Sequence, residues 1–224
     1  MRIVLVRHGE SQGNVDPRIH AEMADHAIPL SARGRDQARE AGQRLDDHLR
    51  SVYGDPDRAP HLRLWVSPYR RTRETATELI AGAGAWIRDV REHVLLCEQQ
   101  FGLFDGIPDD ELPSRFPDEW AHYDKCSRFE GRFWARMPLG ESRFDVAQRV
   151  HQAFGTFHRD AAEHGIRDLV VICHGVTLRA FVMMWCHLSP EWLEDEPNPH
   201  NCAIRVIENG HDCGYVFDGF PRQA

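Results

Sequence analysis

The sequence is short of several features that mark other classes of protein. Only Lys125 is a lysine among the 27 basic residues, and acidic residues outnumber basic ones, which gives a formal net charge of −8. That balance argues against a general nucleic-acid-binding surface. The six cysteines form neither a Cys-x-x-Cys pair nor a compact framework. Reduced thiols are therefore favoured over disulfides or a zinc site.

Long apolar runs and targeting signals are also missing from the sequence. No charged segment followed by an apolar core opens the chain, so we expect no signal peptide. The longest apolar stretch, residues 169–185, is interrupted by His174 and Arg179 and predicts a strand, a turn and a helix instead of a membrane span. These absences predict a cytoplasmic protein without nucleic-acid or membrane partners, and they leave its oligomeric state open.

Apolar strand patterns alternate along the chain with helical ones. Strands are predicted at 2–6, 62–66, 86–90, 168–173, 202–207 and 213–217, and helices near 31–50, 68–82, 110–126, 142–164 and 176–187. Alternation over 224 residues, 42% of them hydrophobic, predicts one domain spanning 1–224. The expected fold class is α/β, a three-layer α/β/α sandwich with a mostly parallel central sheet.

A segment at about 99–139 has no strand pattern and is rich in aromatic residues. Two interpretations remain open for this insert, a lid over a pocket or a locally packed helical subdomain. Arg128, Arg132 and Arg136 within it could reach an anionic group, although solvated surface charges explain them equally well.

Two of the predicted strands end in histidine. The first runs into Arg7-His8-Gly9, and the strand at 168–173 runs into His174-Gly175. Open α/β sheets place their chemistry at the carboxyl ends of strands. We therefore expect the tips of these two strands to adjoin and to bring His8 and His174 together.

Two further segments supply residue types that phosphate chemistry needs. Arg71 lies near the start of the helix that follows strand 62–66, and a helix N-terminus with an arginine is a ready anion site. Glu98 follows a short apolar run, where partial burial would keep its carboxyl group protonated. Ser31 and Ser142 are expected to be helix N-caps, the latter with Asp145 in a capping box.

These residues as a set resemble the histidine phosphatase superfamily, in the branch similar to cofactor-dependent phosphoglycerate mutase. The resemblance runs from residue 2 to about 207. It is carried, in family order, by Arg7-His8-Gly9, Asn14, Ser67 with Arg71 and Thr75, Leu96-x-Glu98, Gly140-Glu141-Ser142 and His174-Gly175.

The resemblance implies a role for each matching residue. His8 would be the nucleophile that becomes phosphorylated, and Glu98 would be the proton donor. The remaining members of the catalytic set are Arg7, Arg71 and His174, which would hold the phosphoryl oxygens. Substrate binding is implied for Arg7, Asn14, Arg71, His174 and Gly175. We expect neither a metal nor another cofactor, and a small phosphorylated metabolite as the substrate.

The nearby arginines would keep His8 neutral and nucleophilic, whereas His174 is expected to become cationic when a phosphate dianion binds. Hydrolysis is favoured over mutase activity, because the family's mutases carry a longer insertion where this chain has only residues 98–140. The chain is similar here to small phosphoglycerate-mutase-like proteins of plants and fungi. Mutase-type transfer, primed by 2,3-bisphosphoglycerate, and a catalytically weak phosphate-binding regulatory protein remain the alternatives.

Overall fold

A single six-stranded sheet organises the protein. The structure is a computed structural model that describes residues 1–59 and 62–221. The strands are β1 (Arg2–Arg7), β2 (Leu62–Val66), β3 (Ile87–Glu92), β4 (Asp168–Cys173), β5 (Ile204–Glu208) and β6 (His211–Phe217). They are ordered β3-β2-β4-β1-β5-β6; the first four strands are parallel to one another, and β5 is antiparallel to both of its neighbours, β1 and β6. The predicted mostly parallel sheet is confirmed.

Eight α-helices are found in the described part of the chain. They are α1 (Gln12–Val15), α2 (Ala32–Tyr53), α3 (Arg70–Ala83), α4 (Leu112–Arg115), α5 (Pro117–Glu130), α6 (Arg143–His164), α7 (Gly175–Trp185) and α8 (Pro190–Asp195). The Ser31 side chain caps α2 by accepting from the amide of Gly34, and Ser142 forms the expected capping box with Asp145 at the start of α6. Helices α1 and α8 lie outside the predicted helices.

Helices cover both faces of the sheet because the strand side chains alternate. In β1, Ile3 and Leu5 pack with residues of α6 and α7, whereas Val4 and Val6 pack with residues of α2 and α3. Each such side chain is fully buried. Burial of one aliphatic side chain is worth ~1.5–3 kcal/mol, so the two apolar layers hold the strand ends in place.

Close packing of α2 on α3 depends on glycine. A Cβ on Gly42 would collide with the carbonyl oxygen of Leu79, and one on Gly82 would collide with that of Arg39. The two backbones can therefore approach directly, which packs the C-terminal half of α3 closely against α2.

The insert departs in detail from its prediction. The single helix expected near 110–126 is two helices, α4 and α5, because Phe116 adopts a non-helical conformation (φ −135°, ψ 64°) directly before Pro117. Phe104, Leu112 and Tyr123 pack together as a small apolar cluster that Ala135 completes. Among the described residues, no helix is both long enough and apolar enough to cross a membrane.

Candidate active site

The two strand-terminal histidines meet at the carboxyl end of the sheet. β1 and β4 are adjacent and parallel, with Arg7 in register with Cys173, and the amide of His8 donates to the carbonyl of Cys173 at 3.0 Å. The ring centroids of His8 and His174 lie 5.2 Å apart in an edge-to-face arrangement. Both rings are buried. The expected meeting of the strand tips is confirmed.

The His8 ring is oriented by its neighbour in the chain. Its Nδ1 lies 2.7 Å from the carbonyl oxygen of Gly9. A carbonyl oxygen can only accept, so Nδ1 carries the hydrogen and the lone pair of the neutral ring is on Nε2. The amide of Gly9 in turn donates to Thr75 Oγ1 at 3.0 Å, which ties this turn to α3. The local structure therefore presents a nucleophilic nitrogen.

His174 is held as a neutral ring by two partners from neighbouring elements. The Arg71 Nε–H group donates to His174 Nδ1 at 3.3 Å, and His174 Nε2 lies 2.9 Å from Ser67 Oγ. Complete burial, and next the charge of Arg71, hold the pKa of His174 well below its usual range. This direction opposes the expected cationic state, which concerns a phosphate complex and stays a prediction.

Arg71 stands in the first turn of α3 and is almost fully buried. Its Nη1 donates to Asp25 Oδ1 at 2.7 Å, and its Nη2 donates to Asp25 Oδ2 at 3.2 Å. The guanidinium carbon also lies 4.9 Å from the centre of the Tyr69 ring. The Nε edge of the guanidinium therefore faces His174, and the opposite end is occupied by a carboxylate.

Arg7 and Asn14 both contact the 199–201 segment, which also contacts the His8 backbone. The Arg7 guanidinium donates to the carbonyl of Pro199. Asn14 Oδ1 accepts from Asn201 Nδ2 at 3.0 Å, and the same Asn201 amide donates to the carbonyl of His8 at 3.2 Å. Because Asn14 Oδ1 serves as an acceptor, its Nδ2 end carries the donors that a phosphate oxygen needs.

Glu98 lies beside the first turn of α7. Its contact there is Thr177, three residues after His174 in the sequence. Its Oε1 accepts from the backbone amide of Gln99 at 3.0 Å and from Thr177 Oγ1 at 3.3 Å. Arg149 of α6 holds the backbone, since its Nη2 donates to the carbonyl of Glu98 and its Nη1 to that of Cys97. The Glu98 side chain is thus attached to α7 and its backbone to α6.

Glu141 of the Gly-Glu-Ser motif binds the Arg149 guanidinium group. Its two carboxylate oxygens accept from Arg149 Nε at 2.8 Å and Nη2 at 3.0 Å. Glu141 also accepts from the amide of Gln100, two residues after Glu98. The motif therefore acts on the site indirectly, through Arg149 and the backbone near Glu98.

Gly175 must be glycine for steric reasons. It is the first residue of α7, and a Cβ at this position would collide with the side-chain oxygen of Asn198. The absence of a side chain lets the 198–199 segment lie against the start of α7, next to His174.

A cavity of about 400 Å³ opens next to this site, between the insert and α7. Gln99 and Val176 line it, and they directly follow Glu98 and Gly175 in the sequence. Its aromatic wall consists of Phe101, Phe104, Trp120 and Tyr123, and its basic residues are Arg132, Arg143 and Arg179. Burial lowers the pKa of both Arg143 and Arg179.

The three insert arginines differ in their surroundings. Arg132 lines the cavity. Arg128 pairs with Asp124 and Arg136 with Asp145, and both of these arginines are exposed. Arg132 is exposed as well, so surface charge describes all three arginines, and Arg132 also lines the cavity.

Several residues at the site carried no signal in the sequence. Asp25, Arg149, Thr177 and Asn201 contact Arg71, Glu98 or His8 but occur outside the recognised motifs. Their partners are distant in the chain, so only the folded protein reveals the pairing.

Comparison with known proteins agrees with this geometry. The profile of the histidine phosphatase superfamily (branch 1) matches residues 3–217. The phosphoglycerate mutase-like proteins AT74 and AT74H of Arabidopsis thaliana are 35% and 36% identical to the chain, each over 96% of its length. The chain spans 66% of the first relative and 76% of the second. The broad-range acid phosphatase DET1 of Saccharomyces cerevisiae is 26% identical over 92% of the chain and 84% of its own length.

Solved structures show the same fold. The alpha-ribazole phosphatase of Shigella flexneri has a TM-score of 0.72 at 20% identity, covering 100% of this chain and 99% of its own. A mycobacterial glucosyl-3-phosphoglycerate phosphatase has a TM-score of 0.68 at 23% identity, covering 99% of both chains. With the sequence match over residues 3–217, the chain belongs to branch 1 of the histidine phosphatase superfamily.

Proposed function

We propose that the protein is a phosphatase that hydrolyses small phosphomonoesters through a phosphohistidine on His8, with Glu98 as the proton donor. The observation that carries this proposal is the His8 tautomer. Its Nδ1–H group donates to the Gly9 carbonyl, which places the lone pair of the neutral ring on Nε2, and the ring lies beside His174, which the Nε edge of Arg71 faces.

The reaction takes place in two displacement steps. His8 Nε2 forms a bond to phosphorus as the ester P–O bond breaks, and Glu98 gives a proton to the departing alcohol. Water then attacks the phosphohistidine as the N–P bond breaks, and Glu98 takes a proton from that water. Arg7 and Arg71 offset the charge on the three equatorial oxygens in both transition states.

The neighbouring cavity would bind the leaving group. Its volume of about 400 Å³ suits a small metabolite, and its aromatic wall suits stacking against a sugar ring or a planar aromatic ring. Arg143 and Arg179, both largely buried, favour a leaving group that carries an anionic substituent. The word phosphatase in the names of DET1 and of the solved structures supports hydrolysis.

The decisive experiment is a panel of phosphomonoesters assayed for phosphate release with the wild type and His8→Ala. We expect the substitution to abolish turnover and to remove an acid-labile phosphoenzyme that quenching traps in the wild type. Turnover that survives in His8→Ala would refute the nucleophile. Phosphoryl transfer to a phosphoglycerate only after priming with 2,3-bisphosphoglycerate would favour a mutase, and phosphate binding without any turnover would favour a regulatory protein.

A further inference from the structure

The carboxylate of Asp25 is bound to the Arg71 guanidinium group, whose Nε edge faces His174. Asp25 opens a short 3-10 turn, Asp25–Ala27, in the loop before α2. The carboxylate and the Asp25 carbonyl together accept three hydrogen bonds from Arg71, the carbonyl at 2.7 Å from Nη1. The Arg71 side chain is 6% exposed. Such a buried two-pronged pair holds an arginine in one orientation.

The geometry of the pair matters because a guanidinium has two usable edges. Asp25 takes the terminal edge, formed by Nη1 and Nη2. The lateral edge, which includes Nε, is thereby turned toward His174 and the site beside His8. Rotation of Arg71 away from His174 would break the hydrogen bonds to Asp25, so this carboxylate selects the edge that meets a phosphoryl group.

A histidine lies between Asp25 and a second carboxylate. His20 Nδ1 lies 3.6 Å from Asp25 Oδ1 and 3.3 Å from Asp105 Oδ1. The interaction with Asp105 is the main reason that the pKa of His20 is raised, and burial opposes it. Charges therefore alternate along Arg71, Asp25, His20 and Asp105, from the phosphate site to the insert.

The His20 side chain packs closely against the backbone of two glycines, Gly13 and Gly106. A Cβ on Gly13 would come within 2.6 Å of His20 Nε2, and a Cβ on Gly106 within 2.6 Å of His20 Cβ. Gly106 also has φ +70°, a conformation that favours glycine. The two glycines thus leave room for the His20 ring between the carboxylates of Asp25 and Asp105.

We propose that Asp25 is a positioning residue, which presents the lateral edge of Arg71 to the phosphoryl group and is supported electrostatically by His20, which lies between Asp25 and Asp105. This proposal rests on the proposed function, since it assigns phosphate to the site beside Arg71. It adds a residue that acts through Arg71 without touching the substrate.

The test compares Asp25→Asn with Glu92→Gln. Glu92 also makes a two-pronged pair with an arginine of α3, Arg73, through the Nε and Nη2 atoms of that side chain. This pair is exposed and includes none of the residues of the candidate site. We expect Asp25→Asn to weaken binding of inorganic phosphate, measured by calorimetry, by ~10-fold and to lower kcat/KM by ~10- to 100-fold, mostly through kcat. Glu92→Gln should change neither quantity by more than ~2-fold.

An Asp25→Asn protein that binds phosphate as well as the wild type would overturn the proposal, because the carboxylate would then have no effect on phosphate binding. Tighter binding would overturn it too, because the carboxylate would then compete with phosphate for Arg71. If Asp25→Asn fails to fold, His20→Gln decides. A loss of ~3- to 10-fold in phosphate affinity supports the chain of charges, and no loss refutes it.

Calorimetry separates failure of this proposal from failure of the proposed function. A wild type that binds phosphate but hydrolyses no ester would contradict the phosphatase assignment while leaving the role of Asp25 measurable. A wild type that does not bind phosphate would contradict both.

Discussion

The two ends of the β1–β4 strand pair carry very different chemistry. At the carboxyl end, His8 and His174 face each other beside a cavity of about 400 Å³. At the amino end, Arg2 is in register with Asp168, and the cavity there is larger, about 950 Å³. By volume alone, the amino end would be the better candidate.

The charges at the amino end are satisfied by one another. Arg2 donates to Glu208 Oε1 at 2.6 Å and to the Tyr53 hydroxyl at 2.9 Å, and that hydroxyl donates to Asp168. At the carboxyl end, by contrast, the local contacts orient His8 so that a nucleophilic nitrogen remains. The comparison teaches that the chemistry of the lining residues, and not the size of the space, distinguishes a reactive site from a structural one.

The largest effect on activity that would sharpen this comparison is expected from Glu98→Gln. Loss of the proton donor should lower kcat ~10²- to 10⁴-fold for an alkyl phosphate. For p-nitrophenyl phosphate, whose leaving group needs little protonation, the loss in the first step should be much smaller. The values of kcat/KM with both esters measure this difference, because they exclude the later attack of water on the phosphoenzyme, which both esters share. An equal loss of kcat/KM with both would argue against Glu98 as the acid.

Arg71→Lys should have the next largest effect. Lysine keeps the charge but loses the planar fork that binds Asp25 and faces His174, so we expect kcat/KM to fall ~10²-fold. Arg70→Lys is the matched control, because Arg70 is exposed and pairs only with Glu74 of its own helix among the contacts described. Similar losses in the two variants would contradict a specific role for Arg71.

Asp168→Asn should separate stability from activity at the amino end. The substitution removes the carboxylate that accepts from Tyr53, and we expect the free energy of unfolding to fall by ~1–3 kcal/mol. Urea denaturation measures the loss, and phosphate release should stay within ~2-fold of the wild type. A large loss of activity in this variant would break the division of roles between the two ends.

The smallest expected effect is a pH dependence of stability. Burial holds the pKa of His174 well below its ordinary value of 6.5, so the unfolded chain binds more protons than the folded one as the pH falls below about 6.5. The free energy of unfolding should therefore decrease on acidification, by up to ~1.4 kcal/mol per pH unit for this group.

His48, near Arg2 at the amino end, provides the comparison for that titration. Burial lowers its pKa too, but its ring is only partly buried. His174→Gln should flatten the pH dependence between pH 6.5 and 5.5 more than His48→Gln does, as followed by urea denaturation. His20, whose pKa is raised, opposes the trend in every variant. A stronger flattening by His48→Gln would mean that the histidine at the amino end, and not His174, dominates the pH dependence of stability.

Much of the fold follows from local sequence. The apolar strands, the caps at Ser31 and Ser142 and the meeting of His8 with His174 were all predictable, because each depends on a few adjacent residues and on the rule that parallel strands align their ends. The break at Phe116 was a local signal that the predicted helix at 110–126 overlooked, since Pro117 disfavours helix in the residue before it.

The sequence by itself determined the class of sheet, the residues at its strand ends and the family to which they point. Only the tertiary structure decided that Asp25 orients Arg71, that Arg149 holds the backbone of Glu98 and that His174 is neutral. The physical reason is range. Strand and cap preferences act over a few residues, whereas burial and charge pairing depend on segments that meet only after the chain has folded.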